Sequence, residues 1–313
     1  MTPKTGHWHC IAAGSLLGSP SLSIALRQTM LIARFSVVLA LVALLGGCAS
    51  IVKSATQNLA NNLSQAILNQ NDTATVRDGA PSYLIMVDSF IASSPDDVSL
   101  LRAGSALYSA YASAFVEDQP RRQRLAQKAH DYAQRAFCLE LESLCAVEKI
   151  KLDRLQQELA NVQTGQHPVM YDFARAWAGW IEANSDDWNA LAQVPRLQAL
   201  FARSVLLDEG YDHGGAHLYL GVLASQIPPA LGGKPEVARA HFEQAIALSA
   251  GNNRMASVLY AEHYARLVFD QELHDRLLRQ VLEPAEPVPG LVLINALARE
   301  RAASLLEESP EYF

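Results

Sequence analysis

Apolar residues recur along most of this chain at the spacing of one helical face. Leucine and alanine dominate and return every three or four residues. Proline and glycine are gathered in short clusters between these segments, where helices are expected to end. No segment shows the alternation of apolar and polar residues that is typical of a half-buried strand. The pattern therefore predicts an all-α protein made of short helices.

The predicted helices follow one another with few long gaps. They cover 82–92, 98–117, 121–137, 146–162, 169–183, 196–207, 216–226, 235–250, 255–269, 271–282 and a last helix that ends near 308. Asp97 supplies N-cap chemistry for the helix that starts at Val98, and Pro235 suits the first position of its helix. Residues 184–189 are predicted as a loop.

Pairs of short helices at regular spacing indicate a repeat architecture. In tetratricopeptide (TPR) repeats, small and bulky residues at set offsets let two antiparallel helices interlock. The clearest such unit places Gly221 on its first helix and Ala238 and Phe242 on its second. Weaker units contain Phe201 and the pair Gly104 and Tyr132. The spacing predicts a TPR-like α-solenoid with flanking helices, and a non-repeating helical bundle is the alternative.

The N-terminal region carries the pattern of an export signal. The apolar run at 35–45 holds eleven residues, whereas a membrane-spanning helix needs about 20. Met30 and Arg34 precede the run as a start and a positive charge. Leu45-Gly46-Gly47-Cys48 resembles the bacterial lipobox, in which small residues admit the signal peptidase and the cysteine sulfur carries the lipid. An ordinary cleavage site followed by an incidental cysteine is the alternative.

These features divide the chain. The predicted parts are a leader at 1–29 that is an over-extended start or is disordered, a lipoprotein signal peptide at 30–47, a tether with a first helix at 48–78, and a TPR-like helical-repeat domain at 79–313. Lipidation at Cys48 would anchor the protein to a membrane on the periplasmic side. Ala49, rather than an aspartate, follows the cysteine and favours the outer membrane.

Charge excludes one class of partner. Residues 1–47 contain three basic residues and no acidic one, so their removal changes the formal net charge from −7 to −10. Nucleic-acid binding requires a basic face, and no nucleic-acid partner is expected.

Two cysteines remain in the helical region. Cys138 and Cys145 would lie about 10.5 Å apart on one unbroken helix, too far for a disulfide. A turn between them would allow the bridge, and an exported location would favour oxidation. Two buried free thiols are the alternative.

A family resemblance rests on several segments in order. The most specific is GGAHLYLGVLASQIPPALGGKPEVARAHFEQAIALS at 214–249; the others are WAGWI from Trp177, VLYAEHYA from Val258, FDQELHDRLLRQVL from Phe269 and LINALARERAASLL from Leu293. Together they resemble the T component (TatT family) of tripartite ATP-independent periplasmic (TRAP) transporters.

This resemblance implies a periplasmic, lipid-anchored helical-repeat protein. It implies association with the substrate-binding P component of the transporter, and self-assembly as a trimer. The implied function is capture or transfer of a small hydrophobic or organic-acid ligand. An outer-membrane-tethered TPR scaffold that binds only proteins is the alternative function.

Aromatic side chains are the best candidates for contact with an organic ligand. Their apolar rings and polar tips suit such a molecule, although aromatic residues usually pack a helical core. The candidates are Trp177, Trp180, Tyr219, Tyr260 and Tyr264. Arg254 would either meet an anionic group near a helix N-terminus or lie on the surface as a solvated charge.

Motifs for metals, phosphate and catalysis are weak. His213 and His217 lack the glutamate of a zinc-protease helix and a third ligand, so we expect capping or packing roles and no metal or other cofactor. Gly232-Gly233-Lys234 lacks a preceding strand and a following Ser or Thr, so we predict a connector. No arrangement of residues requires an enzyme.

Overall fold

The computed structural model describes residues 65–227, 230 and 232–313, and this part of the chain contains helices and no strand. The α-helices are α1 Thr73–Ser93, α2 Val98–Phe115, α3 Gln119–Glu140, α4 Leu152–Leu159, α5 His167–Ala183, α6 Trp188–Leu191, α7 Val194–Leu207, α8 Tyr211–Ala224, α9 Pro235–Leu248, α10 Arg254–Leu259, α11 Gln271–Leu282 and α12 Val292–Tyr312. The predicted all-α class is confirmed.

Aspartates begin several of these helices. The carboxylates of Asp72, Asp97, Asp118 and Asp270 accept hydrogen bonds from backbone N–H groups in the first turns of α1, α2, α3 and α11. Each such bond satisfies a donor that the helix itself leaves unpaired. Asp187 does the same for the short helix α6, which lies inside the segment predicted as a loop.

The first described helix is longer than predicted. It begins at Thr73 because Asp72 caps it, and it continues through Pro81, which was predicted to precede the helix. Its buried residues Val76, Ala80, Leu84, Val87 and Ile91 form one continuous stripe. The predicted domain boundary between residues 78 and 79 therefore falls inside a helix, and the signal peptide and Cys48 lie outside the described residues.

The segment after α3 also differs from its prediction. Instead of one helix at 146–162, the chain forms 3₁₀ turns at Glu142–Leu144 and Val147–Lys149, followed by α4. The turn brings the Cα atoms of Cys138 and Cys145 to 4.5 Å, and their sulfur atoms form a disulfide. The reversal of the chain that a bridge requires is thus present.

The predicted helix at 255–269 is also subdivided. After α10 the backbone continues as a π segment at Tyr260–Ala265, and Phe269 ends the stretch with a left-handed φ of 58°.

Buried apolar residues form two clusters. One contains residues of α1 to α8, and the other contains residues of α9 to α12 and the π segment. Helix α8 serves both: Leu220 and Leu223 pack against the first, whereas Leu218 and Val222 pack against the second. The fit between α8 and its neighbours therefore decides how the two clusters join.

The helix pairs interlock as the sequence predicted. A Cβ added to Gly221 of α8 would lie 3.1 Å from the ring of Phe242 on α9, and Ala238 and Phe242 are completely buried. A Cβ on Gly104 would lie 3.1 Å from the ring of Tyr132. These small-on-large contacts are confirmed, while the complete TPR-like solenoid stays a prediction.

The first and last helices meet. The hydroxyl of Thr73 donates to Glu300 Oε1 at 2.7 Å, and the backbone N–H of Gly290 donates to Asn69 Oδ1 at 2.8 Å. Helices adjacent in sequence otherwise make most of the contacts. The series of helices therefore returns on itself. Within the described part, no helix is both long and apolar enough to span a bilayer.

We expect the disulfide to stabilise the fold by restricting a short loop in the unfolded chain. Replacing both Cys138 and Cys145 by serine should lower the free energy of unfolding by about 2 kcal/mol. Urea unfolding with and without reductant measures this effect. Reduced wild-type protein should match the double variant, which should itself be insensitive to reductant; a reductant effect on the double variant would contradict this assignment.

Candidate functional site

Helix α5 has a buried aromatic face and an accessible polar face. Asp172, Arg175, Gly179 and Glu182 repeat at helical spacing, and all four keep contact with water. The opposite side of the helix carries completely buried aromatic side chains such as Phe173. We call these four accessible residues the polar stripe of α5.

The N-terminal half of the stripe is an ion-pair network. Arg102 Nε of α2 donates to Asp172 Oδ2 at 2.6 Å, and Arg175 Nη2 donates to Asp172 Oδ1 at 3.4 Å. Arg175 Nη1 also lies 3.9 Å from Asp212 Oδ2 of α8. Two positive and two negative side chains thus join three helices, and their formal charges cancel.

Asp212 reaches this network through an unusual backbone. Asp212, His213 and Gly214 take consecutive φ values of 51°, 58° and 78°, all in the left-handed region. That region costs a non-glycine residue roughly 1–2 kcal/mol. The compensating contact is the hydroxyl of Tyr171, which donates to Asp212 Oδ2 at 2.7 Å. Burial, followed by the charge of Asp212, raises the pKa of Tyr171 well above its usual value, so the phenol stays a neutral donor.

Glycine at position 215 makes that contact possible. A Cβ placed there would lie 2.0 Å from the hydroxyl oxygen of Tyr171. A Cβ on Gly214 would lie 3.0 Å from the side chain of Leu248 on α9. The two glycines of the DHGGAH segment therefore allow α8 to approach α5 on one side and α9 on the other.

Tyr219 is the predicted ligand residue that faces this network. Its ring stacks on Phe201 with centroids 4.6 Å apart and planes 4° from parallel. Burial raises the pKa of Tyr219 to about 12; Arg175 opposes the rise, and Asp212 and Glu182 add to it. Within the described residues, its hydroxyl makes no hydrogen bond.

The C-terminal end of the stripe, at Gly179 and Glu182, lines a small cavity. Glu182 contacts water, yet the surrounding protein raises its pKa by burial; Arg122 opposes the rise, and Glu262 of the π segment adds to it. The crowding of Glu182 by the surrounding protein disfavours its charged form. Nearby, α2, α3 and α5 line a cavity of about 20 Å³, enough for one water molecule.

The other predicted aromatic residues lie away from the stripe. Trp177 is completely buried and Tyr260 is 4% exposed, so neither presents a surface to a ligand in this conformation. Trp180 is partly buried, and its Nε1 donates to Gln127 Oε1 at 2.6 Å. Tyr264 is partly buried against Tyr260, with ring centroids 5.2 Å apart. Packing accounts for all four positions.

Arg254 binds backbone carbonyls in the structure, and contact with an anionic ligand stays a prediction. Its Nη1 donates to the backbone carbonyls of Val281 and Glu283 at 2.6 and 2.7 Å. Arg299 Nη1 donates to the same group of carbonyls. The last turn of a helix leaves carbonyl groups without partners inside the helix, and two arginines satisfy them at the end of α11.

The weak motifs have structural roles. His213 is exposed in the left-handed turn, and His217 is buried and contacts His241 rather than His213. The described residues contain no group of three metal-ligating side chains. Gly232, with a φ of 88°, lies in the connection before α9, and Pro235 opens that helix as predicted.

The polar network was missed from the sequence. Asp172 and Arg175 are three residues apart, with Gly179 and Glu182 continuing the same face, which is a readable signal for an accessible stripe. The buried tryptophans of the same helix drew the prediction to its other face. The partner Asp212 could not be found, because its contact depends on a left-handed turn.

Comparison with known families assigns this architecture. A family model described as TRAP transporter T-component matches residues 69–313. The chain belongs to the TRAP transporter T-component family. The match begins just before α1 and covers every helix described above. Membership indicates an accessory role in TRAP transport rather than an enzymatic one. A separate comparison with curated proteins found no match.

A steric test separates two glycines of this T component. Gly215→Ala should destabilise the protein by about 1–3 kcal/mol, because the new methyl group meets the hydroxyl of Tyr171. Gly179→Ala is the matched control: no atom of the described residues lies within 4 Å of the position that its Cβ would take, and alanine should stabilise α5 by about 0.5–1 kcal/mol. Urea unfolding measures both.

Gly215→Ala in a Tyr171→Phe background tests whether the Tyr171 hydroxyl causes the destabilisation. Removing the hydroxyl should make Gly215→Ala much less costly than it is in the wild-type protein. An equal cost in both backgrounds would show that the hydroxyl is not the obstacle.

Proposed function

We propose that this protein is a lipid-anchored periplasmic accessory of a TRAP transporter that binds the P component and a small organic ligand. The family match over residues 69–313 is the observation that carries the transport role. Self-assembly as a trimer and attachment to the outer membrane through Cys48 are parts of the same proposal, supported by the family resemblance and the lipobox-like sequence.

The unused N–H donors of Arg175 support a ligand site at the polar stripe. Asp172 is bonded more closely by Arg102, and Asp212 by Tyr171, than either is by Arg175. Because the guanidinium of Arg175 has five N–H donors, several of them remain available to a ligand. Such a planar group binds a carboxylate through paired hydrogen bonds.

Tyr219 would provide the second part of the site. Its free hydroxyl can bind the polar end of a ligand, while its ring, held flat against Phe201, offers an apolar surface. A small organic acid with a hydrophobic body has both features. The acidic chain repels such a ligand at long range, but the local ion-pair network is neutral and adds no repulsion of its own.

A protein-only scaffold is the second candidate function. Large apolar side chains are exposed on the surface, with Trp188 82%, Leu206 77% and Ile85 72% accessible. Where such side chains join into a contiguous apolar patch, they would suit a partner protein. A scaffold of this kind would use the outer surface and leave the polar stripe of α5 empty.

We expect the purified protein to capture the TRAP P component of its own genome and to retain a small molecule detectable by native mass spectrometry. Arg175→Gln should reduce retention of that molecule about tenfold, because a charge-assisted hydrogen bond is lost. Tyr219→Phe should reduce it less. Arg239→Gln is the matched control, since Arg239 is exposed and pairs with Glu243 on α9.

The outcomes separate the two functions. Capture of the P component without any retained molecule would favour the scaffold. Absence of both would overturn the transport proposal. Equal retention by the Arg175→Gln and Arg239→Gln variants would place the ligand elsewhere.

Lipid attachment has its own test. Cys48→Ser should abolish incorporation of labelled palmitate and leave an unprocessed precursor, because serine lacks the sulfur that carries the lipid. Cys138→Ser, which changes a cysteine of the disulfide, is the control and should leave labelling unchanged. Persistent labelling of the Cys48→Ser variant would show that another residue is acylated.

A further inference from the structure

Two histidine rings join α8 to α9. Nδ1 of His217 lies 2.8 Å from Nδ1 of His241, and the ring centroids are 5.1 Å apart. His217 is buried, with 7% of its surface exposed, and His241 is partly buried. A hydrogen bond between two nitrogens at this distance requires one hydrogen between them.

The other nitrogen of His217 fixes the arrangement. Its Nε2 lies 3.1 Å from Glu209 Oε1, and Gln244 Nε2 donates to the same oxygen at 2.9 Å. A carboxylate oxygen accepts, so Nε2 of His217 carries a hydrogen. If His217 is neutral, its Nδ1 accepts from His241; if it is protonated, its Nδ1 donates to a neutral His241. The contact therefore tolerates one imidazolium and not two.

We infer that His217 and His241 form an acid-sensitive latch that loosens α8 from α9 when both rings are protonated. Double protonation places a hydrogen on each of the facing nitrogens, and two like charges at this separation repel. The rings must then part.

The latch lies at the interface between α8 and α9, so its opening would affect the packing there. The same interface holds the close packing of Gly221 against Phe242 and of Gly214 against Leu248. Helix α8 also packs against both apolar clusters. Separation of the two rings would therefore loosen the junction between the clusters rather than an isolated surface patch.

Glu209 is the charged group that contacts the histidine pair, and the other charged groups named here have other partners. From the loop before α8, Glu209 faces the pair, whereas Asp212 bonds to Tyr171. Other charged groups on the elements packed against α8 and α9 have partners elsewhere. Arg239 pairs with Glu243, both on α9, Arg203 of α7 donates to the Val162 carbonyl, and Glu262 of the π segment pairs with Arg301 of α12. His263, also on the π segment, has its pKa lowered by burial.

The direction of the pH effect follows from the geometry. Burial, followed by the nearby His217, lowers the pKa of His241. The unfolded chain, whose histidines titrate near pH 6.5, therefore binds more protons at position 241 than the folded protein does at mildly acidic pH. Folding stability contributed by the pair is present above about pH 6.5 and is lost as the pH falls below it.

Urea unfolding at pH 7.5, 6.5 and 5.5 tests the latch. Between pH 6.5 and 5.5 the unfolding constant of the wild-type protein should rise up to about fivefold more than that of His241→Gln, because one proton is linked and the unfolded histidine titrates near pH 6.5. His213→Asn is the control: it removes an exposed imidazole, asparagine tolerates the left-handed backbone, and its pH response should match the wild-type protein. Identical pH responses of wild type and His241→Gln would overturn the proposal.

A measurement on the wild-type protein tests the latch even if the His241→Gln variant folds poorly. Long-range ¹H–¹⁵N spectra of the imidazoles at pH 6 should show one ring of the pair with an unprotonated Nδ1, and amide exchange in α8 and α9 should accelerate when that nitrogen becomes protonated. Two fully protonated rings with unchanged amide exchange in both helices would refute the latch.

Discussion

The hydrogen bond from the Tyr171 hydroxyl to the Asp212 carboxylate is the contact on which the centre of this fold depends. It compensates for a left-handed turn that costs two non-glycine residues roughly 1–2 kcal/mol each. It requires glycine at position 215, since any side chain there would occupy the space of the hydroxyl. It also keeps Asp212 from binding Arg175 closely. One buried phenol thus sets the path of the backbone into α8 and leaves a guanidinium with donors to spare.

Packing between helices was predictable because it follows local rules of size. The offsets that placed Gly221 against Phe242 and Gly104 against Tyr132 are sufficient to find these contacts, and the structure confirms both. The start of α1 was predicted too late in the chain: its cap, Asp72, lies upstream of the predicted helix, and the helix continues through Pro81. Local sequence therefore predicts which helices interlock better than it predicts where they begin.

The candidate site was less predictable for a physical reason. Aromatic residues in a helical protein are selected first for burial, so Trp177 and Tyr260 belong to the core. Tyr219 stacks on Phe201 and interacts electrostatically with Arg175 of the polar network. Arg254 looked like a surface charge, because the carbonyls that it binds belong to a helix end about thirty residues later in the chain. Contacts between distant segments decide both cases, and a single sequence does not encode such contacts in its periodicity.

The contact between α1 and α12 changes how the helical series should come apart. In an open array of repeats each unit touches only its neighbours, so the terminal units have one partner fewer and fray first. Here Thr73 contacts Glu300, and Gly290 contacts Asn69, so the first and last helices of the described part have a neighbour on each side. Neither of these two helices should then unfold before the rest. The contact between them also makes the unfolding of the intervening helices more cooperative, although those helices take no part in it.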